Sequence, residues 1–252
     1  MTRALLTLSC AFASACAAPT GLVGQTKEGA PIIQLRLSIS GVYLVKAKTR
    51  ILIDAGSAPD MPALLAGLAE HGVKPEEIGL VVVTHVHSDH AGMAAALQRD
   101  YHAKIMVGAG DKERAIAGHN DQLKPIGFTA NLIRPMIVDE FPPFTPDLVV
   151  ERTPIDLAPY GLDAQVVALP GHTAGSIVVL LADDQAFVGD LLAGGFFGGA
   201  LAPGRAGEHY YHADRRRNRR NIDALIARGV QTYYPGHGGP VDLASVKAAF
   251  QR

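Results

Sequence analysis

Leu80, Val81, Val82 and Val83 form an unbroken apolar run, and the chain continues as Thr84-His85-Val86-His87-Ser88-Asp89-His90-Ala91-Gly92. A continuous, largely β-branched run predicts a strand buried on both faces, which demands layers of structure above and below it. The polar cluster therefore sits at the end of an interior strand. A tight turn at that point can aim several side chains at one spot, and imidazole with carboxylate is a donor set suited to zinc. Cys10 and Cys16 are the two cysteines of the chain, and both lie near its start. A metal site in the remainder has no thiolate available and must draw on His and carboxylates.

The rest of the chain supplies the layers. Of 252 residues, 48% are hydrophobic and 19% charged, which predicts one domain around one sizeable core. A formal net charge of -1 offers no electrostatic footprint for nucleic acid or an anionic surface, so neither is an expected partner. Ile33, Leu35, Leu37 and Ile39 alternate with Gln34, Arg36 and Ser38, the period of a strand with one wet face. Val42 to Val45 and Ile51 to Ile53 extend this to an antiparallel meander. Asp60, Pro62 and Gly72 punctuate a helix over about 61 to 71, with Asp60 as its N-cap. A helix near 94 to 98, a strand over 104 to 107 and a helix over 111 to 117 continue the α/β pattern.

From about His119 to Tyr160 seven prolines break the regularity, and a partly structured lid is expected. Strands resume at 165 to 169, 177 to 181 and 186 to 188, and helices capped by Asp214 and Asp242 follow. Three more strand ends carry polar residues: Gly171-His172-Thr173-Ala174-Gly175-Ser176, Gly189-Asp190 and Pro235-Gly236-His237-Gly238. Singly, each fits an ordinary turn. Together with the first cluster they point to one site.

These four segments resemble the metallo-β-lactamase superfamily, as does Ile51-Leu52-Ile53-Asp54-Ala55-Gly56, and the resemblance runs from about residue 31 to the C-terminus. It implies a four-layer αββα sandwich with metals at the edge between two sheets and a lactonase- or glyoxalase II-like metal site. It implies two Zn2+ ions per chain, one held by His85, His87 and His172, the other by Asp89, His90 and His237, with Asp190 between them. Such a pair can hold a hydroxide, lower its pKa and polarise a carbonyl. Asp89 is the expected proton acceptor and Asp54 a supporting partner of the ligands. The expected activity is hydrolysis of a small ester, lactone or related carbonyl substrate. The alternatives are β-lactam hydrolysis, a noncatalytic metal-binding module and a di-iron redox protein. True metallo-β-lactamases usually carry Cys or Ser where Asp190 stands, and this favours the ester or lactone. Glutathione thioesters are not expected, because glyoxalase II uses a C-terminal helical extension to bind glutathione and this chain ends soon after His237. His209, Tyr210, Tyr211 and His212, with Phe196 and Phe197, are candidate pocket walls. The arginines from Arg215 to Arg220 read as a solvated helix face.

Residues 1 to 18 read separately. Arg3 precedes the apolar stretch Ala4 to Ala15 and then small residues, the layout of a secretory signal cleaved near 15 to 18, leaving 19 to 252 as the hydrolase domain. Export to the periplasm or medium is expected. Ala13-Ser14-Ala15-Cys16 also imitates a lipobox, so a membrane tether would arise only through a lipidated Cys16. The oligomeric state has no readable signal.

Overall fold

Adjacent residues of single strands bury into different layers, and this sorting sets the architecture. The computed structural model describes residues 21–251, so the expected signal at 1 to 18, with Cys10 and Cys16, lies outside the described residues. Strands β1 (Gly21–Gln25), β2 (Pro31–Arg36), β3 (Gly41–Lys46), β4 (Arg50–Ile53), β5 (Ile78–Val82), β6 (Lys104–Gly108) and β7 (Leu148–Val150) form one sheet in that order. β1 to β4 pair antiparallel, as the expected meander, and β4 to β7 pair parallel. The second sheet takes β8 (Ile155–Asp156), β9 (Ala164–Ala168), β10 (Ile177–Leu181) and β11 (Gln185–Gly189). After a hairpin of β12 (Ala193–Phe196) and β13 (Leu201–Gly207) it adds β14 (Thr232–Pro235) and β15 (Val241–Asp242), in the order β15-β14-β11-β10-β9-β8.

Helices α1 (Met61–Glu70), α2 (Ser88–Ala91), α3 (Ala94–Tyr101), α4 (Lys112–Ala117) and α5 (Gly127–Ile133) fall among the parallel strands, and α6 (Arg215–Arg228) and α7 (Leu243–Phe250) flank β14 and β15 in sequence. Ile33, Leu35, Leu44, Leu52 and Val81 pack with Leu64 and Leu68 of α1 and Leu97 of α3. Their strand neighbours Ile32, Tyr43, Val45, Ile51, Leu80 and Val82 turn the other way, onto Val166, Ile177, Val179, Phe187 and Tyr234 of the second sheet. Val178, Leu180, Val188 and Tyr233 then face Ile222, Leu225 and Ile226 of α6 and Val246 of α7. Period-two sorting across two sheets yields three apolar layers, hence the four-layer αββα sandwich.

That packing corrects the wet face expected for β2. Ile32 and Gln34 are fully buried because the second sheet covers them, and Ile39 lies past the strand's end, 57% exposed. Burying Gln34 is tolerable because its Nε2 donates to the carbonyl of Gly238 at 2.7 Å. Asp60 precedes α1 without capping it; its carboxylate accepts from Ser38 Oγ at 2.8 Å instead. Asp214 and Asp242 do cap α6 and α7, accepting from Arg217 N and Ser245 N. The irregular 119 to 160 segment contains α5, completes the first sheet with β7 and starts the second with β8.

Candidate metal centre

The four polar segments follow the C-terminal ends of β5, in the first sheet, and of β9, β11 and β14, in the second, and the stacking of the two sheets brings all seven predicted residues to one place. Inward-facing donor atoms of His85, His87 and His172 lie within 4.8 Å of one another, as do those of Asp89, His90 and His237. Asp190 stands between the triads. Its Oδ2 is 3.7 Å from His85 Nε2, 3.6 Å from His172 Nε2, 3.5 Å from His90 Nε2 and 3.4 Å from His237 Nε2. Gly236 makes room for this, since a Cβ there would lie 2.5 Å from Asp190 Oδ1 and collide with the His90 ring.

The outward nitrogen of each imidazole has its own acceptor, which fixes the tautomer. His90 Nδ1 donates to Asp54 Oδ2 at 2.9 Å, His172 Nδ1 to the Tyr211 carbonyl at 2.8 Å, and His237 Nδ1 to the Ile39 carbonyl at 3.1 Å. His85 Nδ1 lies 3.2 Å from Thr84 Oγ1, whose own proton goes to Asp54 Oδ2 at 3.0 Å. His87 is turned over: Nε2 meets Asp121 Oδ1 at 2.8 Å, which leaves Nδ1 inward, 3.2 Å from His172 Nε2. Asp54 also accepts from Thr84 N and holds its backbone in the left-handed region at φ 66°, a conformation disfavoured for a residue with a side chain.

Burial holds His85 and His172 well below the ordinary imidazole range. Burial also disfavours charge on His90 and His237, but the carboxylates win: Asp190 and Asp89 raise both, His237 to about 10. Burial opposes ionisation of Asp89 and Asp190, and the surrounding histidines override it, so both are held below the usual carboxylate range. His85 Nε2 and Asp190 Oδ1 are buried without any hydrogen-bond partner. The inward lone pairs of His85 and His172, the ionised carboxylates, two protons on His90 and His237 that a cation would displace, and two orphaned ligand atoms fit divalent metal ions.

Some contributors had no sequence signal. Asp111, expected only at a helix start, is fully buried and joins the ligand loops: it accepts from Val86 N (3.0 Å), Thr173 Oγ1 (2.7 Å), Gly175 N (3.0 Å) and Arg114. Asp121, the partner of His87, belongs to the proline-rich segment. His209 was a candidate wall; its Nε2 instead reaches Asp190 Oδ2 at 3.2 Å. Tyr210 holds the β12–β13 hairpin through Phe197 N–H, and Phe196 and Phe197 are exposed. Arg205 stacks over Phe196 at 5.6 Å, while Arg215 and Arg219 pair with Glu208 on the solvated face of α6.

Two stacked sheets between helices, with a His/Asp centre at the strand ends, define an α/β metal-site protein. The model of the metallo-beta-lactamase superfamily matches residues 36–237. The chain belongs to that superfamily. A probable metallo-hydrolase of Methanocaldococcus jannaschii is 27% identical over 203 residues, covering 79% of this chain and 87% of that protein. A hydroxyacylglutathione hydrolase of Shewanella loihica is 32% identical over 154 residues, 60% of this chain and 46% of that protein. Among solved structures, the metallo-β-lactamase MIM-1 of Novosphingobium pentaromativorans superposes with TM-score 0.60 at 20% identity, covering 88% of this chain and 76% of that one. A β-lactamase of Chitinophaga pinensis gives 0.61 at 21% identity, covering 93% and 83%. These likenesses bear on the fold.

Proposed function

We propose that this chain is an exported dizinc hydrolase acting on a small ester, lactone or related carbonyl substrate. The observation that carries this reading is the placement of one ionised carboxylate, Asp190, between two ligand triads. His85, His87 and His172 would hold one zinc ion, Asp89, His90 and His237 the other, and Asp190 would be shared. Zinc ions bound there supply Lewis acidity toward a carbonyl oxygen and lower the pKa of water.

The protein's own groups do the remainder. Asp54, Thr84, Asp121, Ile39 and Tyr211 keep each imidazole in the tautomer whose lone pair faces inward. Asp89, about a quarter exposed with Oδ2 3.2 Å from His237 Nε2, is the open carboxylate of the set and the acceptor for a proton leaving water. The exposed rings of Phe196 and Phe197, on the hairpin that Tyr210 holds, would supply an apolar wall to the substrate pocket.

A relative named a hydroxyacylglutathione hydrolase supports hydrolysis at a carbonyl, but it matches across less than half of its own length, so its substrate is not carried over. A β-lactam carboxylate usually needs a cationic anchor, and Arg215 and Arg219 are paired with Glu208. The test measures kcat/KM on zinc-loaded protein with an acyl homoserine lactone, an aryl ester, a thioester, a penicillin and a carbapenem. Faster turnover of a β-lactam than of every ester, thioester and lactone would replace this reading with β-lactam hydrolysis. Coloured iron-loaded protein would favour redox chemistry, bound metal without turnover of any substrate a noncatalytic metal-binding module, and absence of bound metal a binding module whose site has decayed. Intact-mass analysis from a bacterial host tests export: cleavage near residues 15 to 18 or a lipidated Cys16 supports it, and a retained Met1 in the cytosol refutes it.

A further inference from the structure

Beside the buried His212, His209 is an imidazole at the centre that belongs to neither triad. It lies after the β12–β13 hairpin, 9% exposed, with its ring stacked on His237 (centroids 5.3 Å apart, 20° between planes) and edge-on to His172 (4.8 Å, 82°). It thus touches one histidine of each triad. Its Nε2 is 3.2 Å from Asp190 Oδ2, closer than any imidazole of the triads, and geometry alone would also let it join His172 and Asp190 as a metal ligand.

The Tyr211 peptide group separates these roles. Its carbonyl is taken by His172 Nδ1–H at 2.8 Å, which leaves His172 Nε2 with a lone pair. His209 Nδ1 lies 3.3 Å from both the N–H nitrogen and the carbonyl oxygen of Tyr211, but the oxygen already accepts from His172, whereas the N–H has no other acceptor among the described residues. Tyr211 is buried, and a buried N–H needs an acceptor, so Nδ1 of His209 carries the lone pair and the proton resides on Nε2. One peptide unit therefore sets opposite tautomers on two neighbouring histidines. An Nε2–H cannot ligate a metal, but it can donate to a carboxylate oxygen.

We propose that His209 is a positioning residue: a neutral donor whose Nε2–H orients the shared carboxylate of Asp190 between the two triads, and not an eighth ligand. This rests on the reading of Asp190 as the shared ligand of a two-metal centre. Outer hydrogen bonds of this kind typically contribute 10–100-fold to metal affinity.

The experiment uses full-length protein, His209→Ala and His209→Gln, with zinc and cobalt(II) chloride as probes and a thermal melt of each variant to verify folding. Expected for His209→Ala are wild-type metal stoichiometry at saturation, an unchanged cobalt visible spectrum, and a 10–100-fold weaker dissociation constant for one metal, with recovery in His209→Gln, whose amide can donate. Long-range 15N NMR of the wild type should show the proton on Nε2. Loss of one metal equivalent, an altered cobalt spectrum or a proton on Nδ1 would overturn the proposal in favour of ligation. Unchanged affinity in His209→Ala would overturn it in favour of packing alone. None of these measurements uses a substrate, so failure of the hydrolase reading is scored separately by the kcat/KM panel.

Discussion

Removing the Asp111 carboxylate should damage the metal centre from outside it. Asp111→Ala strands the N–H groups of Val86 and Gly175, which have no other acceptor among the described residues. Thr173 Oγ1 can fall back on Ser176 Oγ at 3.0 Å, and Arg114, a quarter exposed, retains Asp121 at 3.3 Å, so those losses cost little. Two stranded buried donors at about 1–3 kcal/mol each, less what an entering water recovers, give roughly 3–4 kcal/mol. With a urea m-value on the order of 3 kcal/mol/M, the midpoint of the metal-free protein should fall by about 1 M. Asp111→Asn should rescue less than half of this, because its amide meets a backbone N–H donor to donor. Val86 lies between His85 and His87, and Thr173 and Gly175 follow His172, so the first triad loses the brace between its two loops. Zinc competition should read about 10–100-fold weaker binding. A wild-type urea midpoint together with wild-type zinc affinity in Asp111→Ala would refute the bracing role.

Gly236→Ala should cut metal content with little loss of fold, because the new Cβ would press on His90 and Asp190 Oδ1; elemental analysis of dialysed protein checks it, and full occupancy would contradict it. Asp190→Ala should lose at least one metal, since the shared carboxylate offsets repulsion between two dications; two metals retained after dialysis would count against sharing. The pH dependence has opposite signs with and without metal. His237 is raised from 6.5 to about 10, so in metal-free protein its stabilising contribution is present below 6.5 and lost as pH rises through 10. Over the same interval zinc should bind more tightly, because the ligand no longer has to shed a proton. Urea titrations of metal-free protein and calorimetry in buffers of different ionisation enthalpy measure both, and absence of proton release near neutral pH would contradict the assignment.

The sandwich was legible where period and burial agree. Leu80 to Val83 read as interior strand and proved to be so, and alternation from Ile33 located β2. What alternation could not convey is that both faces of β2 are covered: Gln34 looks like a solvent position because local sequence does not reveal a second sheet whose first strand, β8, begins only at Ile155. Its burial depends on a single acceptor at Gly238, which is remote in sequence. Asp60 misled for the converse reason. The N-cap pattern is local and common, while the Ser38 contact that captured its side chain comes from another loop.

The centre divides in the same way. Residues aimed from one turn leave a dense spacing signal, as His85, His87, Asp89 and His90 do, whereas His172, Asp190 and His237 acquire meaning only through the company of that turn. The groups behind them are harder still, for a physical reason. His172 and His237 are oriented by carbonyls of Tyr211 and Ile39, and any amino acid offers a carbonyl, so residue identity at 39 and 211 carries no trace of the task. Asp111 and Asp121 do use side chains, but both come from beyond β6, and Asp111 reaches the centre by joining the loops after β5 and β9, which belong to different sheets. The tautomer at each imidazole is thus decided by tertiary closure. That is why a His-rich spacing can nominate a ligand set while leaving open which of its histidines, His209 among them, presents a lone pair and which presents a proton.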